Sequence, residues 1–235
     1  LPEGTTPLLA VLIDADNVPA RHAEAIFEEI ASLGEASIRR IYGDFSGGTT
    51  QGWSKDRLAS LALVPHQQFA NTIGKNASDI ALVIDAMDIL HSGRFDGFVL
   101  VSSDSDFTRL ASRIREQGLE VYGIGERKTP EAFRKACKRF IFVENLVGEE
   151  AVEKPGAEVK KISPSKAVPL ITMAMRAIDQ EAEWYSLGPL GQFITTANPD
   201  FDTRTYGCPN LSTLIRKSGK FEIKTVDGVL KARAL

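Results

Sequence analysis

Cysteine is scarce: two in 235 residues, Cys137 and Cys208, far apart and without the close spacing that metal ligands need. That excludes a disulfide scaffold and fits reduced thiols in a cytoplasmic protein. Long apolar runs are missing as well. No stretch approaches the ~18 residues of a membrane span, so no membrane partner is expected. Residues 1–4 carry neither a basic nor an apolar leader, and the chain begins without an initiator Met, which leaves what precedes it open. Histidine is rare, and His22, His66 and His91 all lie outside the acidic motifs described below. They read as surface or packing residues, not as general bases. There is no internal repeat and no low-complexity tract. A hydrophobic share of 43% with 25% charged residues excludes a disordered or collagen-like chain. The length fits one to two domains.

What is present is asymmetric. Residues 1–159 hold 17 Lys and Arg against 24 Asp and Glu, whereas residues 160–235 hold 11 against 7. An acidic front and a basic rear suit two modules, a carboxylate metal site and a domain for a polyanion. Chance surface composition is the competing explanation.

The front alternates strand and helix signals. Strands are expected at residues 8–13, 37–42, 64–69, 97–101, 120–124 and 140–143, and helices at 19–33, 54–63, 79–90, 107–117 and from Thr129-Pro130 onward. The strands read as solid apolar runs, which predicts a parallel sheet covered on both faces. Residues 79–90 are apolar nearly all round, which predicts a buried helix. The Gly/Thr-rich stretch 46–52 with Trp53 reads as a cover over substrate or as a plain connector. Residues 148–163 have a linker's composition. Beyond them, three helices (166–180, 187–197, 209–218) precede two short runs flanking Asp227-Gly228. Asp-Gly in that setting is a hairpin signal, and the layout is that of a winged helix.

Two strands end in acids: Ile13-Asp14-Ala15-Asp16-Asn17 and Val101-Ser102-Ser103-Asp104-Ser105-Asp106. Ligands of open parallel sheets bind beyond the carboxyl ends of strands. If these two are neighbours, the acids converge, and a pair ~4 Å apart repels by roughly 4 kcal/mol at an effective dielectric near 20. Such a cluster must protonate, pair with cations or bind metal. Oxygen ligands without His or Cys favour Mg²⁺ or Mn²⁺. The bland alternative is helix capping by Ser103-x-x-Asp106, a helix start at Asn17-Val18-Pro19, and pairing of the acids with Arg109 and Arg113. Asp79 opens the apolar helix, where a carboxylate is welcome near the N-terminus or points into the same site. Asp85 and Asp88 fall on other angles and read as structural. Lys75, just before this helix, suits a phosphate or plain solvent.

Residues 8–146 resemble the NYN domain, a nuclease-like branch of the PIN superfamily. The resemblance is carried by Leu12-Ile13-Asp14-Ala15-Asp16-Asn17, Tyr42-Gly43-Asp44, Lys75-Asn76-Ala77-Ser78-Asp79-Ile80 through Asp85, and Val101-Ser102-Ser103-Asp104-Ser105-Asp106-Phe107, with Val121–Gly125 and Ala136–Ile141 also fitting. It implies a PIN-like, Rossmannoid α/β fold with a parallel sheet flanked by helices. It also implies an acidic pocket of Asp14, Asp79, Asp104 and Asp106 that binds Mg²⁺ or Mn²⁺ and cleaves RNA. Asn17 would act beside them, and Ser102, Ser103 and Lys75 would support them. Ser103 departs from the family, which often has Gly there. Residues 163–235 resemble the LOTUS, or OST-HTH, domain through Leu187-Gly188-Pro189-Leu190-Gly191, Phe201-Asp202-Thr203-Arg204-Thr205-Tyr206-Gly207 and Leu211-Ser212-Thr213-Leu214-Ile215. That implies a small winged-helix module binding RNA or docking a protein partner. Its candidate RNA contacts are Lys166, Arg204, Tyr206, Arg216, Lys217 and Lys220, the cations neutralising phosphates and Tyr206 stacking on a base.

The expected organisation is therefore a PIN-like domain over residues 1–147, a linker over 148–162 and a winged-helix domain over 163–235. The expected activity is metal-dependent RNA hydrolysis. Two rivals stay open. A haloacid-dehalogenase-like phosphatase would use Asp14 as nucleophile and Asp16 as general acid; against it, Pro19 follows at once and no Ser/Thr strand end followed by Lys appears in the expected order. The other rival is a non-catalytic RNA-binding scaffold with a vestigial pocket.

Overall fold

Leu8–Asp14 (β1) alternates between two buried faces: Leu9, Val11 and Ile13 enter one apolar cluster, Ala10 and Leu12 the other. A strand covered on both sides is what a solid apolar run encodes. The computed structural model describes residues 6–46, 51–68, 77–147, 161–226 and 228–235. Around β1 it sets Glu35–Gly43 (β2), Val64–Gln67 (β3), Gly97–Val101 (β4), Glu120–Gly125 (β5) and Arg139–Phe142 (β6). All neighbours pair in parallel, in the order β3-β2-β1-β4-β5-β6. This is a six-stranded parallel α/β sheet, the architecture that the resemblance implied.

Helices Ala23–Leu33 (α1) and Lys55–Ser60 (α2) cover the face of Ile13. Ala77–His91 (α3), Thr108–Glu116 (α4) and Glu131–Ala136 (α5) cover the face of Leu12. Trp53 belongs to the first cluster, 1% exposed, and its indole N–H donates to the Val18 carbonyl at 2.7 Å. It is core and no cover over substrate, while residues 47–50 lie outside the described residues. The buried-helix expectation for α3 needs correction. Ile80 and Ile84 are 60% and 58% exposed, because the helix lays only the side of Leu82, Ala86, Ile89 and Leu90 on the sheet. Among the described residues, no helix is long and apolar enough to cross a membrane.

The chain divides into two compact units, Leu1–Gly148 and Glu149–Leu235. The small second unit holds Val168–Ile178 (α6), Tyr185–Ser186 (β7), Leu187–Ala197 (α7), Leu211–Ser218 (α8), Phe221–Val226 (β8) and Val229–Ala234 (β9). Its core gathers Ile171, Leu190, Ile194, Leu214, Ile215, Phe221 and Ala232. The three strands pair antiparallel in the order β7-β9-β8. The hairpin expected around Asp227-Gly228 is present as β8 and β9, although Asp227 itself lies outside the described residues. Most of the expected linker, residues 148–160, lies outside them too.

Candidate active site

The strand order reverses at the β1–β4 pair, because the chain runs outward from β1 to β3 and then returns to β1's other side for β4. At such a switch point the connections leave in opposite directions and open a crevice beyond the strand ends. Ile13 lies beside Val101 in the register. Asp14 and Ser102 therefore leave the sheet side by side, and alternation turns both toward the face covered by α3 and α4.

Asp14 is 1% exposed. Its Oδ2 accepts from the Ser102 hydroxyl at 2.7 Å and from Asn17 Nδ2 at 2.6 Å. Its Oδ1 accepts from the backbone N–H groups of Asp16 (3.1 Å) and Asn17 (3.3 Å). Burial pushes its carboxyl above the usual range; the bonds from Ser102 and Asn17 pull it partly back, and the Asp16 charge pushes it up again. Asn17 thus holds Asp14 and does not cap the following helix, whose short lead-in turn Ala20–His22 starts after Pro19 without a side-chain cap.

The β4 end is arranged differently from its predicted cap. Asp104, not Ser103, caps the turn Ser105–Phe107, its Oδ1 accepting from Asp106 N–H at 2.9 Å. An Asx turn two residues long wins over the longer Ser103-x-x-Asp106 loop. Ser103 Oγ instead accepts from Glu126 N–H at 2.9 Å, tying β4's end to β5's. Ser102 Oγ also accepts from Asp104 N–H at 3.1 Å, so one hydroxyl links both acidic turns. The close approach leaves no room at Gly125, where a Cβ would lie 2.5 Å from the Ser102 carbonyl.

Asp79 enters from the first turn of α3. The helix is fixed by Asp85, whose carboxylate takes both the Arg40 guanidinium and the Tyr42 hydroxyl from β2. Tyr42 is fully buried and sits beside Asp14 in the register. Burial, and then the Asp85 carboxylate, push its phenol far up. Asp85 is structural, as its helix angle implied.

Asp79 is half-buried, and its carboxyl is pushed up to about 6, first by burial and then by the charges of Asp14, Asp104, Asp16 and Asp106. The four charges that raise it are all carboxylates, so the acids of three chain segments meet in one electrostatic field. The strand-end reading placed Asp16 among the converging acids, but the family resemblance left it out of the pocket. It lies two residues beyond Asp14, its Oδ2 accepts from the Ser78 hydroxyl at 2.8 Å, and Gly43 gives its turn room. The i, i+2 spacing after a strand end was the available signal. Of the arginines weighed as partners, Arg113 pairs with Glu116 at 3.4 Å and Arg109 is exposed. Lys75 lies outside the described residues.

A pH effect follows. Between about 4 and 6 the native Asp79 holds a proton that the unfolded chain has released, so stability falls as pH rises through this window. Asp79→Asn is expected to melt higher than the wild type at pH 7.5, with the gap closing by pH 4. The linkage value of about 3 kcal/mol shrinks to about 1 kcal/mol, because the group is half in solvent and a helix start favours negative charge. Thermal melts across that pH range check it; a variant that melts lower at pH 7.5 would contradict it.

The donors are all oxygen and collectively negative, which suits a hard cation. Among the described residues, however, no three His, Cys, Asp or Glu side chains stand close enough to enclose a metal ion.

In the second unit, Lys166, Arg216, Lys217 and Lys220 are exposed. Arg204 is engaged by Asp202, with Nε–Oδ2 at 2.9 Å and Nη2–Oδ2 at 2.6 Å. Tyr206 packs on Phe201 with centroids 6.1 Å apart, and burial raises its phenol.

The sequence model of the NYN domain matches residues 8–144, and that of the OST-HTH/LOTUS domain matches residues 159–229. The first spans more than half of the chain, and the protein belongs to the NYN family, with an OST-HTH/LOTUS domain following. A solved structure of a protein of unknown function from Vibrio parahaemolyticus RIMD 2210633 matches with a TM-score of 0.50 and 21% identity, over 60% of this chain and 96% of its own. That likeness is one of fold. Streptococcus suis SuiB bound to S-adenosylmethionine matches with a TM-score of 0.22 and 13% identity, over 75% of this chain and 45% of that one, too low to carry an argument. No curated protein matches the chain. The family is one of PIN-like nucleases, and the second domain points to RNA binding.

Proposed function

We propose that the protein is a divalent-metal-dependent ribonuclease whose pocket is formed by Asp14, Asp79, Asp104 and Asp106, with Asp16 at its rim. The observation that carries this reading is the switch point itself, where Asp14 and Ser102 leave β1 and β4 side by side and bonded at 2.7 Å, so that both acidic turns open on one crevice; the upward push on the Asp79 carboxyl from those acids agrees with it. Asp14 and Asp79 would hold Mg²⁺ or Mn²⁺, with Asp104 and Asp106 close by. Such an ion, when bound, lowers the pKa of a water and neutralises charge developing on a phosphate. The chain's own part is positional. Ser102 and Asn17 fix the Asp14 carboxylate, and the Asp85 pairing fixes the helix that carries Asp79.

A second reading, RNA binding without hydrolysis, draws on the exposed Lys166, Arg216, Lys217 and Lys220 of the second unit, which can hold phosphates without a reacting centre. One assay separates them. Labelled single-stranded RNA is incubated with the full chain in Mn²⁺, in Mg²⁺ and in EDTA. Cleavage that needs the ion supports the nuclease; intact RNA bound equally well in all three supports the scaffold.

A further inference from the structure

The outer face of the small antiparallel sheet holds side chains that neither the acidic pocket nor the core of its own unit uses. Residues opposite one another on β8 and β9 share a face. Phe221, Ile223 and Ala232 face the core, so Glu222, Lys224, Lys231 and Arg233 face outward. Glu222 and Arg233 form a complementary pair, bonded at 2.6 Å, and Arg233 also takes Glu183. The next pair is not complementary: Lys224 stands directly opposite Lys231. Like charges so placed are unfavourable.

Trp184, just before β7, lies against the same face. Lys224 Nζ is 3.6 Å from its ring centroid and Arg233 Cζ is 4.7 Å away. The ring is only half-buried and takes no part in the apolar cluster of the unit. A large aromatic ring left outside a nearby core, against one of two opposed lysines, breaks local rules twice on one face. Such breaches are expected where a surface serves a ligand.

We infer that Trp184, Lys224 and Lys231 form a binding site for single-stranded RNA. The indole stacks on an unpaired base, and the two ammonium groups neutralise phosphates on either side. An exposed cation–π contact is weaker than base stacking on tryptophan, so a base displaces the Lys224 ammonium from the ring and the ammonium moves to a phosphate. A duplex keeps its bases stacked internally and offers the ring nothing. An acidic peptide matches the lysines but has no flat partner for the indole. This site deepens the RNA reading above and rests on it.

The chain has its own probe. It contains two tryptophans, and Trp53 is buried in the core of the other unit. The full chain is titrated in EDTA, where no hydrolysis intervenes, with an unstructured oligoribonucleotide, an abasic strand of the same length, and poly-glutamate. The oligoribonucleotide is expected to quench tryptophan fluorescence, and the other two are not. Trp184→Ala weakens binding about tenfold, and Trp184→Phe abolishes the quench while restoring most of the affinity. The Lys224→Gln/Lys231→Gln double variant, altered only at the sheet surface, lowers the slope of log K against log salt by about 1.4. RNA binding with unchanged affinity and salt slope in all these variants would place the RNA elsewhere and overturn the site. Equal binding of poly-glutamate without a quench would make the face a protein-docking surface instead. No RNA binding by the wild type would overturn the RNA reading itself. Loss of cleavage in Mn²⁺ with an intact quench would overturn the nuclease and leave this site standing.

Discussion

Asp14→Asn is expected to lower RNA cleavage on the order of 10³-fold, the loss of several kcal/mol of charge stabilisation at the reacting phosphate, while the melting temperature barely moves. Two opposing terms decide the second half of this expectation. The asparagine presents one NH₂ where Asp14 presented two acceptors. Either the Ser102 and Asn17 side chains or the backbone N–H groups of Asp16 and Asn17 then lose a partner, which costs about 1–3 kcal/mol. Against that, burial and the Asp16 charge already disfavour the ionised Asp14, and the variant removes this burden. The terms nearly cancel, so the defect is chemical and not one of folding. Cleavage and thermal melts on the same preparation test it. Equal cleavage by both proteins would remove Asp14 from the site.

Asp85→Ala does the reverse and acts first on stability. It strips the Tyr42 hydroxyl of its acceptor inside the core and leaves Arg40 without its carboxylate. Breaking a fully buried pair costs roughly 3–5 kcal/mol. Arg40 retains 30% of its side-chain exposure and can turn to water, so about 2–3 kcal/mol is expected. For a unit of this size that lowers the melting temperature by roughly 5–10 °C. Cleavage falls as well, because α3 no longer carries Asp79 to a fixed place over Asp14. Tyr42→Phe, which removes the hydroxyl and its need together, is expected to cost less. An Asp85→Ala variant as stable as the wild type would show that water replaces the carboxylate at no cost.

The parallel sheet was legible because strands buried on both faces are solid apolar runs, and β1 and β4 are the clearest of them. Their acidic ends were legible for the same reason: charge following at once on an apolar run marks where a strand leaves the core. Less was legible where two local solutions compete. Asp104 and Ser103 can each cap the turn before α4; the shorter Asx turn favours Asp104, and the closeness of β5 gives Ser103 the Glu126 N–H instead. Asp16 carries no mark in the sequence that separates a rim carboxylate from a catalytic acid. The composition of α3 could not show that one flank, at Ile80 and Ile84, would stay uncovered, since that depends on the number of layers and not on the helix. Tyr185–Ser186 is too short for any period to emerge. Nothing in the sequence marks which way Trp184 turns; that follows from the pairing of β7 with β9.

Ser102 and Asp14 are bonded across 88 residues of chain. Some repulsion is local to one turn, as that of Asp16 on Asp14, but Asp79 confronts the acids of both turns only once β1, β4 and α3 have come together. That part of the electrostatic penalty therefore belongs to a long-range event, where loop closure is already slow. Screening ions should quicken refolding of this domain more than they slow its unfolding, an asymmetry that stopped-flow measurements in rising salt would reveal.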